Sequence, residues 1–364
     1  MGNKYFKKLK KCSKQLIISD GEIISQLSLY SQNKVILSML LLPYIALYCR
    51  EAQLCLKIDV LDTEFDKQII DLRNAIKLIC GKYNKTEKSF LELDLQQDHV
   101  FKDMISNEYL KSLNLHKNIG VYFDGDGHVV GDTQLICFYL NTADKSDLEQ
   151  KIKSYKLGEN IGRLLSHINL SVGQNYKPCY YQFEKIPIGY IDYNTNVENN
   201  LFRNKEYKGL NLIMLHMLGM LGTNKYILQR ICPCDNVWEF RNEYIIAHNI
   251  WTGLKTIKEH FNIDKSTDID FTLIKKLVNE GQILFPSSFR NSMMHYDLIH
   301  DGQPCISEDL YRSDVMLYGL VETNFDGKNA QEYLKELRSY MTEIEDYLNS
   351  WFIINKSCIN WDLQ

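Results

Sequence analysis

Apolar positions recur at helical spacing throughout the second half of the chain, and from residue 209 onward the pattern predicts helices alone. Residues 210–221 are apolar on nearly every face, which places this helix at the centre of a bundle. A longer helix is predicted over residues 236–261 and a short one over residues 268–278. The longer helix carries two apolar stripes, so we expect it to pack on two sides. The stripes are Ile246, Ile250, Leu254 and Ile257 on one side, and Tyr244, His248 and Trp251 on the other.

The clearest predicted helix follows Asn329, whose side chain can cap the helix while Glu332 completes a capping box. Its apolar seam alternates four and three residues apart and consists of Ala330, Leu334, Leu337, Met341, Ile344, Leu348 and Trp351. A row of tyrosines flanks the seam at a regular interval: Tyr333, Tyr340 and Tyr347. We interpret this element as one core-facing helix of a bundle. The alternative is a seam that binds a partner subunit.

The first half of the chain mixes helical and strand periodicity. Helices are predicted over residues 21–51 and 62–83. Strands are predicted over residues 121–123, 135–140, 180–183 and 188–191, with a turn at residues 124–127 between the first two. Residues 193–208 are polar and show no apolar period, so we place a domain boundary there.

The predicted fold class is mainly α, with two domains. At roughly 150 residues per domain, a chain of 364 residues is long enough for two. Residues 1–200 are expected to form a mixed α+β N-terminal domain, and residues 205–355 an antiparallel helical bundle.

Composition and charge narrow the class of protein. Hydrophobic residues make up 45% of the chain and charged residues 24%, which excludes a disordered or collagen-like protein. The net charge is −4, so the molecule is not a polycation that coats nucleic acid. Any recognition of phosphate must therefore be local.

Cysteine usage and hydropathy point to the cytoplasm. The ten cysteines are scattered, as expected of free buried thiols in a reducing compartment. Cys232-Pro233-Cys234 lacks the second ligand pair that a structural zinc site requires. Apolar residues 35–48 and 210–221 fall short of the roughly 20 residues that span a bilayer, and no secretory signal is visible. We expect a cytoplasmic protein with no membrane partner.

Familiar catalytic and metal-binding motifs are missing from the sequence. The segment from Asp124 to His128 begins like a calcium loop but lacks the later ligands, so we interpret it as a turn. The sequence contains no GxxxxGK[ST], HExxH or GxSxG, and no GxGxxG follows a predicted strand. We therefore expect neither a metal nor a cofactor.

One segment, residues 285–296, carries candidate chemistry. Pro286 with Ser287 and Ser288 predicts a helix start, with a serine hydroxyl as the cap, and places Arg290 near the first turn. An arginine there opposes the helix dipole unless an anion is bound, in which case backbone N–H groups and the guanidinium converge on it. His295 follows about 140° further round the helix, near enough to border the same pocket.

An arginine and a histidine without metal ligands suit cleavage of RNA by its own 2′-hydroxyl. Histidine can transfer a proton near neutral pH, and arginine stabilises charge on the phosphorane. Asn291 and Tyr296 are candidates to orient the substrate or the imidazole. The alternative is that these side chains only satisfy buried backbone groups or pair with a glutamate.

The run from Arg290 through Asn291 to His295 resembles the Arg-x4–6-His signature of HEPN domains, including the polar residue after the arginine. With its flanking helices, the resemblance covers residues 209–352. It implies a HEPN-like bundle and a metal-independent endoribonuclease that acts as a homodimer on RNA. Arg290 would hold the scissile phosphate and His295 would transfer protons, with Asn291 in support and Tyr296 and Ser288 contacting substrate.

The same resemblance implies a biological setting. HEPN domains recur in bacterial toxins and in anti-phage defence, so the first half is expected to act as a sensor or regulator, and a regulatory partner or antitoxin is possible. Some HEPN domains are not catalytic. The alternative function is accordingly a helical interaction module or a nucleotide-binding module.

A second Arg-x6-His pair, Arg241 and His248, lies within the predicted helix 236–261, again with an asparagine after the arginine. Seven residues place the two side chains within about 20° on one helix face. His248 shares its stripe with Tyr244 and Trp251, so we favour aromatic packing over a second active site.

Overall fold

Helices account for most of the structure, a computed structural model that describes residues 2–29, 34–59, 63–103, 105–112, 116–140, 147–173, 185–232, 236–261 and 271–361. In the first half the helices are α1 (Gly2–Leu29), α2 (Lys34–Leu56), α3 (Thr63–Ala75), α4 (Tyr83–Asp103), α5 (Glu108–Ser112), α6 (Thr133–Leu140) and α7 (Asp147–Ser171). In the second half they are α8 (Lys208–Gly222), α9 (Gln229–Ile231), α10 (Val237–Phe261), α11 (Thr272–Leu284), α12 (Ser287–Met294), α13 (Leu320–Asn324) and α14 (Ala330–Asn349). The mainly helical fold class is confirmed.

A small antiparallel sheet lies between these helices. Its strands are β1 (Ile119–Asp124), β2 (Val129–Asp132) and β3 (Ile188–Tyr193), in the order β2-β1-β3. Two further short strands, β4 (Ile299–His300) and β5 (Gln303–Pro304), form a separate hairpin just after α12. The strands predicted around residues 121 and 188 are thus confirmed, and the one predicted over residues 180–183 lies outside the described residues.

The strand predicted over residues 135–140 is wrong, because this segment forms the helix α6. The Asp132 carboxylate accepts a hydrogen bond from the backbone N–H of Leu135 (2.8 Å), which starts a helix where the apolar run begins. The partner of β1 is instead β2, immediately before α6. A short apolar run that is buried on most sides has the same sequence pattern in a strand and in a helix. The spacing of its apolar residues therefore could not distinguish the two.

Close packing joins the sheet to the central helix α8. All but its first residue are buried, as its apolar pattern predicts. A Cβ at Gly222 would stand 1.8 Å from the Val129 carbonyl oxygen, and one at Gly219 would stand 3.1 Å from the Gly131 Cα. Only glycine lets β2 approach α8 this closely.

The buried core does not divide at the predicted domain boundary. A single hydrophobic cluster contains side chains from α1 and α2 as well as from α8, α10 and α14. Across the polar segment, the backbone N–H of Ile353 donates to the Leu201 carbonyl (2.8 Å). Helices of the predicted N-terminal domain, residues 1–200, therefore pack directly on those of residues 205–355.

The final helix α14 has the predicted start and orientation. Asn329 and Glu332 form the capping box, and the seam from Ala330 to Leu348 is buried. The Tyr333 and Tyr340 hydroxyls donate to backbone carbonyls of α11, at 2.9 Å each. Because the seam packs inside the chain, α14 is a core helix, as favoured from the sequence.

Two expectations from composition can be compared with the described residues. No disulfide joins any of the cysteines in this part of the chain. Within the same residues, no helix is both long and apolar enough to cross a membrane.

Candidate functional site

Helix α12 holds the predicted motif on its outer side. It begins after Pro286, and neither Ser287 nor Ser288 caps it, contrary to the sequence prediction. The Ser288 hydroxyl instead donates to the Asn324 side chain (2.7 Å). Phe289, Met293 and Met294 anchor the helix in the core, which leaves Arg290 and Asn291 half-buried at its surface.

His295 lies one residue beyond the helix, not on its face as predicted. Its backbone is extended (φ −121°, ψ 155°), while its N–H still donates to the Asn291 carbonyl at 3.0 Å. Its side chain is 41% exposed. The change in backbone direction turns the imidazole towards helix α2.

A buried carboxylate on α2 holds the His295 ring. The distance from His295 Nδ1 to Glu51 Oε2 is 2.6 Å, and the Glu51 side chain is only 2% exposed. Arg73 on α3 donates to the other oxygen of Glu51 (Nη2 to Oε1, 2.9 Å). A further ion pair, Arg50 to Asp66 (2.9 Å), fixes α3 against α2 beside this network.

The charge state of Glu51 sets the tautomer of the histidine. Burial raises the pKa of Glu51, but the hydrogen bond from His295 and the charges of His295 and Arg73 outweigh burial and hold the pKa below its usual value. The ionised carboxylate only accepts hydrogen bonds, so His295 donates from Nδ1. Nε2 is therefore the nitrogen that remains for proton transfer.

A cavity of about 270 Å³ opens beside the pair formed by His295 and Glu51. Its lining includes Glu51, Asn291, His295 and His300. The Asn291 Oδ1 accepts a hydrogen bond from Arg290 Nη1 (3.0 Å), which holds the guanidinium next to the cavity wall. The structure thus brings two predicted residues, Asn291 and His295, to one cavity, and Arg290 is joined to them through Asn291.

Basic side chains lie near Glu51 and near one another. Lys77 follows α3, and burial lowers its pKa to about 8, assisted by the charges of Arg73 and Arg290. In the part of the chain that the structure describes, no carboxylate lies within ion-pair distance of Lys77 or Arg290. Like charges held together without a counter-ion favour binding of an anion.

Tyr296, predicted to contact substrate, is buried, and its hydroxyl donates to the Asp20 carboxylate. Arg241 stacks on the Tyr296 ring (3.8 Å to its centroid) and lies 3.8 Å from Asp20. Arg241 also donates to the Met293 carbonyl from Nε (3.2 Å) and Nη2 (2.9 Å). Tyr296 therefore supports the residue beside it, His295, from within the core.

The second Arg-x6-His pair does not form a site. Arg241 points to the end of α12, whereas the His248 ring packs against Tyr244, Trp251 and Phe285. Burial lowers the pKa of His248 to about 4, so the ring is neutral near pH 7. The aromatic packing favoured from the sequence is what the structure shows.

One group of side chains has the composition of a metal site. Ligand atoms of Asp124, Asp126 and His128 all lie within 4.8 Å of one another. The Asp124 carboxylate already accepts hydrogen bonds from the backbone N–H groups of Asp126 (3.1 Å) and His128 (2.8 Å), and Arg230 lies 3.8 Å away. These contacts make it the turn predicted from the sequence, with the Asp124 carboxylate engaged.

Sequence reasoning missed the residues that the first half supplies, namely Glu51, Arg73 and Lys77. Glu51 ends the apolar run of α2, and an acid at such a position could have been marked as a candidate. Nothing local to the sequence indicates that it meets a histidine 244 residues away.

Comparison with known proteins found no match for this chain. No protein-family model matches the chain, and neither a curated protein nor a solved structure does so. Function is therefore argued from the geometry of the site.

Proposed function

We propose that this protein is a metal-independent endoribonuclease that cleaves RNA by attack of a 2′-hydroxyl on the adjacent phosphate. One observation carries the proposal. A half-exposed imidazole, oriented by the buried carboxylate of Glu51, lies at a cavity that Asn291 also lines, and Asn291 accepts a hydrogen bond from Arg290, an arginine with no carboxylate partner in the described chain.

In the proposed reaction, each residue of the motif has one task. Arg290 binds the scissile phosphate and stabilises charge on the phosphorane. His295 Nε2 takes the proton of the attacking hydroxyl, while Glu51 stabilises the imidazolium through Nδ1. As the 2′-oxygen bonds to phosphorus, the bond from phosphorus to the 5′-oxygen breaks, and that leaving oxygen takes a proton from water. Asn291 holds the guanidinium in place, and the exposed Ser288 borders the same helix face as a substrate contact.

The wider proposal follows the HEPN resemblance. Residues 205–355 would be a HEPN-like antiparallel bundle, and residues 1–200 a mixed α+β region that regulates it. A homodimer would bring a second copy of the motif to the same groove. A role in anti-phage defence or as a toxin, with a regulatory partner or antitoxin, belongs to this proposal.

A nucleotide-binding module is the second candidate, and the basic cluster of Arg73, Lys77 and Arg290 favours it. The same cations would hold a nucleotide phosphate without cleaving it. A pure helical interaction module is less favoured, because the seam of α14 that suggested it is buried within the chain.

Purified protein incubated with RNA in a chelator is expected to release fragments with 2′,3′-cyclic phosphate and 5′-hydroxyl ends. Arg290→Ala is expected to reduce the cleavage rate by about 10²–10³-fold, as loss of an oxyanion-binding group does. The rate is measured in single turnover by gel, and the ends are identified by mass spectrometry.

Arg312→Ala is the matched control, because that guanidinium is exposed and, among the residues that the structure describes, bonds only to the carbonyls of Asp309 and Tyr311. It should cleave like the unsubstituted protein. Cleavage that requires a divalent ion, or that survives in Arg290→Ala, would overturn the proposal. Tight nucleotide binding without cleavage would support the second candidate instead.

A further inference from the structure

The cavity beside His295 has a lining that suits a nucleobase better than a phosphate. Among the described residues that line it there is no lysine and no arginine, whereas three carboxylates are present, those of Glu51, Asp297 and Asp301. A phosphate inside this cavity would meet like charge, so we place the phosphate outside it, at Arg290. The N–H groups on the edge of a base, in contrast, need acceptors of this kind.

Two segments of the chain supply most of the cavity wall. Helix α2 contributes Glu51, Leu54 and Cys55, which share one face of the helix at spacings of three and four residues. The segment after α12 contributes residues 295–297 and 299–301. The Leu54 side chain is 53% exposed and offers an apolar surface to one face of a flat ring. The volume of about 270 Å³ lies just below the range of about 300–1,000 Å³ for drug-sized ligands, so the cavity accommodates one base and not a run of nucleotides.

Burial alternates along the segment after α12. Tyr296 and Leu298 are buried, and each is hydrogen-bonded to a side chain of helix α1. His295 and Asp297 alternate with them, and both line the cavity. Positions two residues apart in an extended chain lie about 6–7 Å from each other, a distance that a single nucleoside spans. A base bound at Asp297 and a 2′-hydroxyl bound at His295 can therefore belong to one nucleotide.

Asp297 differs from the other two carboxylates of the cavity in its contacts. Its Oδ1 accepts a hydrogen bond from the backbone N–H of Ile299 (3.0 Å), which fixes the carboxylate against its own loop. Within the described segments, no side chain donates to its other oxygen. Both oxygens of Glu51 are already engaged. Asp301 pairs with His300 (3.1 Å), and its side chain is 92% exposed. Asp297 is thus the carboxylate best placed to bind a ligand in the cavity.

We propose that the cavity is a base-binding subsite and that Asp297 makes it selective for guanine. This inference rests on the proposed ribonuclease function and deepens it by naming the substrate class. Guanine presents two adjacent donors, N1–H and the N2 amino group, which one carboxylate accepts together. Adenine and cytosine present an amino group beside a ring nitrogen that is an acceptor, and uracil presents one N–H between two carbonyls. A carboxylate, which only accepts, is repelled by those neighbouring acceptors.

The attacking hydroxyl determines which nucleotide occupies the cavity. His295 takes the proton of the 2′-hydroxyl, so the sugar beside His295 is the one on the 5′ side of the scissile phosphate. The base on that sugar is the one within reach of Asp297. We therefore expect fragments that end in guanosine 2′,3′-cyclic phosphate.

Cleavage of a random-sequence RNA pool in a chelator tests this selectivity, with sequencing of the 3′ ends of the fragments. We expect the unsubstituted protein to cleave after guanosine about 10–100-fold faster than after any other nucleotide, as a bidentate contact to a base edge implies. In Asp297→Asn this preference should be lost, while cleavage after the other three nucleotides continues. The amide oxygen still accepts from Ile299, so the loop is kept, but the amino group now faces the donors of guanine.

A base analogue distinguishes recognition by Asp297 from a structural effect of the substitution. Inosine, which lacks only the N2 amino group of guanosine, is placed at a mapped cleavage site. The unsubstituted protein should cleave this RNA more slowly than the guanosine RNA, whereas Asp297→Asn should cleave the two at similar rates. Asp301→Asn is the matched control, an acid on the same cavity that is paired with His300, and it should keep the preference for guanosine.

The outcomes separate this inference from the proposed function. If the unsubstituted protein does not cleave RNA, both are wrong. If it cleaves without a preference for guanosine, or if Asp297→Asn keeps that preference, Asp297 does not select guanine, while the roles of Arg290 and His295 stand. Equal loss of the preference in Asp301→Asn would also contradict the assignment to Asp297.

Discussion

Replacing His295 with alanine is expected to reduce RNA cleavage by roughly 10²–10⁴-fold, the range typical of a lost general base. The variant removes the nitrogen that accepts the hydroxyl proton and leaves Glu51 bound to Arg73. The half-exposed ring contributes little to the core, so the variant should remain folded. Single-turnover cleavage of an end-labelled RNA, with urea unfolding of the same preparation, measures both effects.

His300→Ala is the matched control for this prediction. His300 lines the same cavity, but its ring is paired with an exposed residue, Asp301, at 3.1 Å, and no buried carboxylate of the described segments bonds to it. Cleavage by His300→Ala should be nearly normal, and Glu51→Gln should fall between the two variants, because it removes the charge that orients His295 and stabilises its imidazolium but leaves the imidazole in place. If both histidine variants cleave normally, His295 is not the base.

The motif on α12 could be found from the sequence because its signals are local. Pro286 marks the start of the helix, and Arg290 and His295 are five residues apart, so the motif is contained in α12 and the residue that follows it. Helix α14 was predictable for the same reason, since its cap and its seam are contained in consecutive residues. The sequence could not show that His295 leaves the helix, because that depends on its contact with Glu51.

The other half of the site depends on contacts between distant segments. Glu51 lies in the last part of the apolar helix α2, and its role in the site is visible only once His295 and Arg73 are beside it. The position of Lys77 depends in the same way on a turn that Asn249 holds from another helix. The spacing of apolar residues and the helix or strand propensity of a segment predict single elements. The positions of Glu51 and Lys77 relative to the motif follow instead from how the elements pack.

The domain prediction also came from a local signal. A polar segment between two apolar regions suggested separate units, yet α1 and α2 share one core with α10. This packing places Glu51, Arg73 and Lys77 around the motif. The first half of the chain is thus part of the proposed active site, in addition to any regulatory role.

Replacing Arg241 with methionine is expected to destabilise the fold by about 3–5 kcal/mol near pH 8, as loss of one member of a buried ion pair does. Arg241 lies 3.8 Å from Asp20, stacks on Tyr296 and holds the end of α12 through the Met293 carbonyl. Methionine has a similar length, so the main change is an unpaired carboxylate in the core. Urea unfolding followed by tryptophan fluorescence measures the loss.

The pH dependence of the stability lost in Arg241→Met tests whether the charge of Asp20 causes that loss. Burial raises the pKa of Asp20 to about 6, although Arg241 and the Tyr296 hydroxyl act to lower it. Because the pKa in the folded protein lies above the unfolded value of about 3.9, this carboxyl lowers stability as the pH rises from about 4 to 6. Without Arg241 the pKa of Asp20 in the folded protein is higher still, so the stability of Arg241→Met continues to fall as the pH rises above 6. The two proteins should therefore differ less at pH 5 than at pH 8.

Two further variants complete the test of this buried pair. Asp20→Asn combined with Arg241→Met removes both charges and should recover much of the stability lost at pH 8. Arg163→Ala breaks an exposed ion pair with Glu159 on α7 and should change stability little at either pH. An equal loss for Arg241→Met at pH 5 and pH 8 would show that its contacts with Met293 and Tyr296, and not the charge of Asp20, make Arg241 necessary.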